Sequence, residues 1–361
     1  MSKKVSLGKI NIKNDTDRLL LISGPCLLEN EKLIRNVATK LIKFSNENKY
    51  DLVFKCSFDK ANRSSGKTIR NKISFEKSID ILKNLKEDLK IPITSDVHET
   101  KQIDKLESLL DIIQIPAFLC RQTDLIRVAA QTKKIVNVKK GQFLSHREVE
   151  NIILKIENQN NNRILITERG NSFGYQDLIV DIRNIPIIQS FGKPVVLDIT
   201  HSLQRPNQEN GISHGTPSFI ETMGCAGIAA NANGIFLEVH SDPKKALSDG
   251  KTMLELNKLN DLLVKLVAIF KGTPNWSISI LGSGVITLRA EKSTRFPIRL
   301  LRIRPSLPFN LWTIDLRGLP DLWALCFTPP GKSLLIRVAI WYCNTLVQLS
   351  ISSILLFLIL L

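Results

Sequence analysis

Ionisable and metal-ligating side chains recur in this sequence within or just after short apolar runs, where an unpaired charge is costly. The cations of this set are Lys55, Lys60, Arg63, Arg121, Lys139 and Arg169. Arg contacts phosphate or carboxylate with two parallel bonds, and Lys supplies a point charge. Six such groups on one surface would bind an anionic, phosphorylated ligand. The plainer alternative is a solvated basic surface; the placement of several cations inside apolar runs argues against it. Cys26, His201, Glu238 and Asp249 form a second set. One thiolate, one imidazole and two carboxylates suit a borderline divalent ion such as Zn, Fe, Mn or Co. Spacing alone makes this a weak signal. A buried free cysteine is most often inert packing, and a lone histidine is most often structural.

Eight short runs must position these residues: 19–23, 52–57, 91–96, 111–117, 135–140, 164–170, 194–200 and 234–240. Their apolar character is continuous, which marks strands buried on both faces of a parallel sheet. Segments 32–48, 74–89, 147–159 and 218–232 lie between them with apolar residues at three- and four-residue intervals, as in helices. Strand and helix repeated eight times over this length is the arithmetic of a (β/α)8 barrel. Residues 5–12 alternate and precede the first strand, so they are expected to form a hairpin closing the barrel floor. Active sites of such barrels sit at the C-terminal strand ends. Cys26 follows the first strand, and Lys55 lies on the second with Lys60 beyond it. Asp96 ends the third, Gln114 lies on the fourth, and Lys139 lies on the fifth. Arg169 closes the sixth, Asp198 ends the seventh just before His201, and Glu238 lies on the eighth. A purely structural barrel has no need of eight such ends, so the pattern predicts an enzyme.

Composition bounds the remaining classes. Of 361 residues, 43% are apolar and 23% charged, close to globular averages. The net charge of +16 is spread along the chain, and no nucleic-acid-binding motif is present. The N-terminus has no apolar signal core, and the six cysteines form no CxxC pair. These features predict a cytoplasmic protein. Composition then changes near residue 272. Residues 1–272 hold 30 Lys and 11 Arg, whereas 273–361 hold 2 Lys and 7 Arg, with all four Trp. The expected domains are therefore a barrel over 1–272 and an atypical extension over 273–361. The extension ends in an uncharged run over 338–361, 24 residues long, enough to span a bilayer. It reads as a membrane anchor, a foreign or frame-shifted extension, or an accessory domain; the switch from Lys to Arg favours the second.

The motifs also match a family. VFKCSFDKANRSS (53–65), TSDVHE (94–99), IQIPAFLCRQTDL (113–125), NVKKGQF (137–143), ERGNSFGY (168–175), LDITHSLQ (197–204) and FLEVHSDP (236–243) resemble 3-deoxy-D-manno-octulosonate 8-phosphate synthases. They do so in family order over residues 5–271. The resemblance implies a tetrameric (β/α)8 barrel that condenses phosphoenolpyruvate with arabinose 5-phosphate and water, for lipopolysaccharide synthesis. It further implies that Lys139, Arg169, Arg121 and the Gln114–Ala117 strand end hold phosphoenolpyruvate. Lys55 and Lys60 would lie between the substrates. Asn62, Arg63 and Ser64 would bind the sugar phosphate, with Gln204 a further substrate contact. Asp96 and Asp198 would orient hydroxyls or water. Cys26, where a metal-free subclass carries Asn, implies a metal held by Cys26, His201, Glu238 and Asp249. A proton for the new alkoxide would come from Lys60 or from water on the metal.

Two other readings stay open. A sister enzyme that uses erythrose 4-phosphate has a Pro-Arg-Thr pattern where this chain has Ala61-Asn62-Arg63-Ser64, which favours the five-carbon sugar. A catalytically degenerate, membrane-tethered homologue is suggested by the apolar terminus alone. His214, in the loop 205–219, is expected to be solvated.

Overall fold

A computed structural model describes residues 5–12, 16, 18–61, 70–173, 177–205 and 214–272 in full, and beyond these the backbone of short strands between Trp276 and Ser350. The chain divides into two compact units, Met1–Thr273 and Pro274–Leu361.

The first unit is a closed parallel barrel. Its strands are Leu20–Gly24, Asp51–Lys55, Ile93–Asp96, Ile112–Ile115, Ile135–Lys139, Ile164–Glu168, Val195–Asp198 and Gly234–His240. Each pairs in parallel with the next, and the eighth pairs with both the seventh and the first. Helices follow each strand: α1 (Glu31–Asn48), α2 (Phe75–Leu89), α3 (Thr100–Leu106), α4 (Thr123–Gln131), α5 (Val149–Glu157), α6 (Asn184–Ser190), α7 (Ile220–Ala229) and α8 (Leu259–Gly272). Side chains of Asn30 and Ser74 cap α1 and α2 by accepting from the Leu33 and Lys77 amides, which fixes where each helix starts.

The two-residue period of a strand sorts the side chains. Leu21, Phe54, Ile113, Val136, Ile166 and Leu197 face outward and join one large core with the helices. Inward-facing Leu20, Ile22, Val53, Ile112, Ile135, Leu165, Val196 and Phe236 fill the barrel. Both faces are thus buried, which is why the runs read as continuous. The expected hairpin is present: Val5–Leu7 pairs antiparallel with Ile10–Ile12. Its Val5 and Ile12 pack into the inward cluster and close the barrel floor.

In the second unit, Trp276–Ile280 pairs with Ile286–Ala290, and Arg302–Pro305 with Trp312–Asp315. Leu322–Cys326, Leu335–Ile340 and Val347–Ser350 form a three-stranded antiparallel sheet. Among the described residues, no helix is long and apolar enough to cross a membrane.

Candidate active site

Following the inward positions up each strand turns the apolar floor into a polar layer. Above Val53 comes Lys55, above Ile112 Gln114, above Ile135 Asn137 and Lys139. Above Leu165 come Thr167 and Arg169, above Val196 Asp198, and above Phe236 Glu238. One parity thus supplies both the floor and the site. Gly24 ends the first strand because a Cβ there would lie 2.0 Å from the Lys55 carbonyl oxygen; a side chain would push the first two strands apart.

Of the groups at this level, Lys55, Lys60, Asp96, Gln114, Lys139, Arg169 and Glu238 line one large cavity at the C-terminal mouth. Lys55 Nζ lies 2.5 Å from Glu238 Oε1, and neither side chain is exposed by more than 1%. Lys55 also donates to the Cys26 carbonyl oxygen at 3.1 Å. Lys139 Nζ lies 2.6 Å from Asp198 Oδ2 and 3.4 Å from the centroid of the Phe236 ring. That ring is the boundary between apolar floor and charged layer, and its face favours a cation. Arg169 Nη2 donates to the His201 carbonyl at 3.0 Å and to Gln204 Oε1 at 3.1 Å. Its Nε is buried with no hydrogen-bond partner, so the guanidinium keeps donor capacity for an anion.

The charges hold one another in their ionised forms. Burial opposes ionisation of Asp96, but Lys55, Lys60, His98 and Lys139 together hold it well below the usual carboxylate range. Asp198 is likewise buried, and His201, Lys139 and Arg169 hold it low. Glu238 is buried too, and Lys55, His201 and Lys60 bring it down to about 2. Burial works against the charge on Lys60, but the carboxylates of Glu238, Asp96 and Asp249 outweigh it and raise its pKa well above the ordinary value. For Lys139 and Arg169 burial prevails and lowers the pKa, despite the opposing pull of Asp198 on both. A dianionic ligand beside them would restore the balance.

Three of the four predicted metal ligands come together. The ligand atoms of Cys26, Glu238 and Asp249 lie within 4.8 Å of one another. His201 falls outside that trio, with Nε2 3.5 Å from Glu238 Oε2. The arrangement suits a cation. His201 Nδ1 lies 2.8 Å from Asp198 Oδ2, which holds the ring with Nε2 turned toward the Glu238 carboxylate. Glu238 Oε2 is itself buried with no hydrogen-bond partner. The Cys26 thiol donates to Asp249 Oδ2 at 2.9 Å. Burial, then Asp249 and Glu238, push its pKa well up; a divalent ion would reverse that by binding the thiolate.

The remaining predicted residues divide. Gln114 donates to Asp96, and both line the cavity with Ala117 and Gln204. Arg121 does not join them. The turn Ala117–Leu119 carries the chain off the strand end, and Arg121 is exposed, with its carbonyl accepting from Lys155 at 3.1 Å. Asn62, Arg63 and Ser64 lie outside the described residues. His214 is half-buried beside Lys251, Nε2 to Nζ 2.7 Å.

Sequence reasoning missed the neutral layer that holds the charges. Ser57 donates to Asp96 Oδ2 at 2.8 Å. Thr167 donates to Asn137 Oδ1 at 2.7 Å, and Asn137 to Gln114 Oε1 at 3.3 Å. These bonds run across four consecutive strands to Asp96. Inward parity would have found Asn137 and Thr167; nothing in the sequence singles out Ser57.

The profile of the DAHP synthetase I family matches residues 3–271. A protein of Geotalea uraniireducens named 2-dehydro-3-deoxyphosphooctonate aldolase is 45% identical over 269 residues, 74% of this chain and 98% of that relative. Relatives of the same name from Geobacter metallireducens and Desulfotalea psychrophila are 46% and 47% identical. The first spans 74% of this chain and 98% of its own length, the second 70% and 89%.

Proposed function

The chain belongs to the DAHP synthetase I family, and from that premise we propose that this enzyme condenses phosphoenolpyruvate with D-arabinose 5-phosphate and water. The products are 3-deoxy-D-manno-octulosonate 8-phosphate and inorganic phosphate, a step of lipopolysaccharide synthesis. The observation that carries the reading is the convergence of buried Lys55, Lys60, Lys139 and Arg169 with ionised Asp96, Asp198 and Glu238 in one mouth. Two phosphorylated substrates repel each other, and fixed cations offset that repulsion.

Lys139 and Arg169 bind the phosphate and carboxylate of phosphoenolpyruvate, supported by their burial and by the free Nε of Arg169. The enol carbon attacks the sugar aldehyde, and water adds at the adjacent carbon. The bond from that carbon to the bridging oxygen then breaks, so phosphate leaves with that oxygen. The buried carboxylates balance positive charge at that carbon, and Lys60, held protonated, supplies the proton for the new alkoxide. Asn62, Arg63 and Ser64 bind the phosphate end of the sugar. Cys26, His201, Glu238 and Asp249 would hold a divalent ion, Mn, Fe, Co or Zn, and such an ion would orient the sugar and lower the pKa of water.

We also read the protein as a cytoplasmic homotetramer whose residues 273–361 lie outside the catalytic domain. The mechanism is tested with phosphoenolpyruvate carrying 18O at the bridging position. Carbon–oxygen cleavage sends the label into inorganic phosphate. Label retained in the organic product would overturn this order of bonds.

A further inference from the structure

Asp249 reaches the metal trio from a long loop, and the loop needs something to hold it there. It follows the eighth strand through the turn Pro243–Lys245. Asp249 itself adopts a left-handed backbone, φ 52°, which a side chain other than glycine resists. A Cβ on the following Gly250 would lie 2.2 Å from the Pro243 carbonyl oxygen. The loop is therefore folded tightly on itself, and its register against the first strand decides where the Asp249 carboxylate falls.

Glu29 provides that register. Its Oε1 accepts from the Leu247 amide at 2.9 Å, two residues before Asp249. The same oxygen lies 3.6 Å from His240 Nε2, and these side chains are 11% and 5% exposed. His240 Nδ1 accepts from the Asp242 amide at 3.0 Å, so Nε2 carries the proton that faces Glu29. Glu29 thus holds the loop by its hydrogen bond to Leu247 and stands beside the strand end, where His240 Nε2 makes no hydrogen bond. Its own base is rigid. Leu28 donates to the Ser57 carbonyl at 2.9 Å, Leu27 bridges to Ser57, and Asn30 caps α1. Cys26 lies three residues before Glu29 on the same segment. A second tie runs alongside, from Asn36 Nδ2 to Ser241 Oγ at 3.2 Å.

We propose that Glu29 is a positioning residue for the divalent-ion site, docking the Asp249 loop onto the Cys26 segment. The proposal rests on the metal reading above. It is tested on the full chain, stripped of metal and titrated with Co(II) against a competing chelator, following the thiolate–cobalt absorption. Glu29→Ala is expected to weaken Co(II) binding about 10- to 100-fold, the usual effect of losing an outer-shell partner. Glu29→Asp keeps the charge but is too short to reach Leu247, and it is expected to lose a similar factor. Glu29→Gln keeps an acceptor at the same reach and stays within roughly threefold of the parent. Hydrogen exchange of the metal-free protein over 241–249 rises in the first two variants and not in the third. Unchanged affinity in Glu29→Ala and Glu29→Asp overturns the proposal, as does an equal loss in Glu29→Gln, which would assign the effect to charge. A parent protein without thiolate–cobalt absorption would instead overturn the metal reading, and the proposal with it.

Discussion

Replacing Glu238 by Gln removes the carboxylate beside Lys55 and leaves a buried ammonium. The pair is 2.5 Å apart and almost wholly inaccessible. At an effective dielectric of about 20, two charges at that distance attract by roughly 7 kcal/mol. The loss at pH 7 is capped, because Lys55 can neutralise instead; bringing its pKa from about 10.4 down to 7 corresponds to roughly 5 kcal/mol. Asp96 still acts on Lys55 and recovers part of that. The expected destabilisation of the metal-free protein is therefore about 3 kcal/mol, at the low end for a broken buried pair. Urea unfolding in the presence of chelator measures it. The sign with pH follows from linkage. In the variant the folded Lys55 pKa lies below its unfolded value, so the unfolded state binds more protons. The deficit shrinks as pH rises from 7 toward 10. Combining Glu238→Gln with Lys55→Met removes both charges and is expected to recover at least about half the loss. A single-variant loss under ~1 kcal/mol, or a double variant as unstable as the sum of the singles, would refute the reasoning.

Three further predictions follow from the same geometry. Arg169→Lys keeps the charge but loses the planar guanidinium, whose Nη2 donates to both His201 and Gln204 and whose Nε stays available; kcat/KM for phosphoenolpyruvate is expected to fall about 100-fold, and a change under threefold would remove Arg169 from the anion site. Asp96, Asp198 and Glu238 have folded pKa values below their unfolded ones, so their contribution is complete above the unfolded values and is lost as pH falls. Unfolding free energy should be level between pH 5 and 7 and decline from about pH 4.5 toward 2; a decline that begins above pH 6 would contradict this. Cys26→Ala should lower Co(II) affinity at least about 100-fold while leaving the far-ultraviolet spectrum unchanged, and full retention of binding would take Cys26 out of the metal set.

The barrel was legible because a parallel strand buried on both faces leaves an unbroken apolar run, and its polar interruptions mark the strand end. Lys55, Gln114, Lys139, Asp198 and Glu238 all stand out in this way, since each is an inward position just above the floor. What escaped were contacts that depend on register between strands. Ser57 meets Asp96, and Glu29 meets Leu247, only because neighbouring strand ends stop at matching heights. Thr167 and Asn137 interrupt their apolar runs at the same inward parity as Gln114, so that signal was available for them too. Arg121 is close to its strand in sequence, but the intervening turn carries it outward to an exposed position.

The central claim is a five-carbon-specific, metal-dependent condensation, and phosphate release by the full chain tests it most directly. Phosphoenolpyruvate is supplied with arabinose 5-phosphate or with erythrose 4-phosphate, before and after chelation. The account predicts release with arabinose 5-phosphate only, abolished by chelator and restored by Mn(II) or Co(II). Release with erythrose 4-phosphate, or release that survives complete removal of metal, would contradict it.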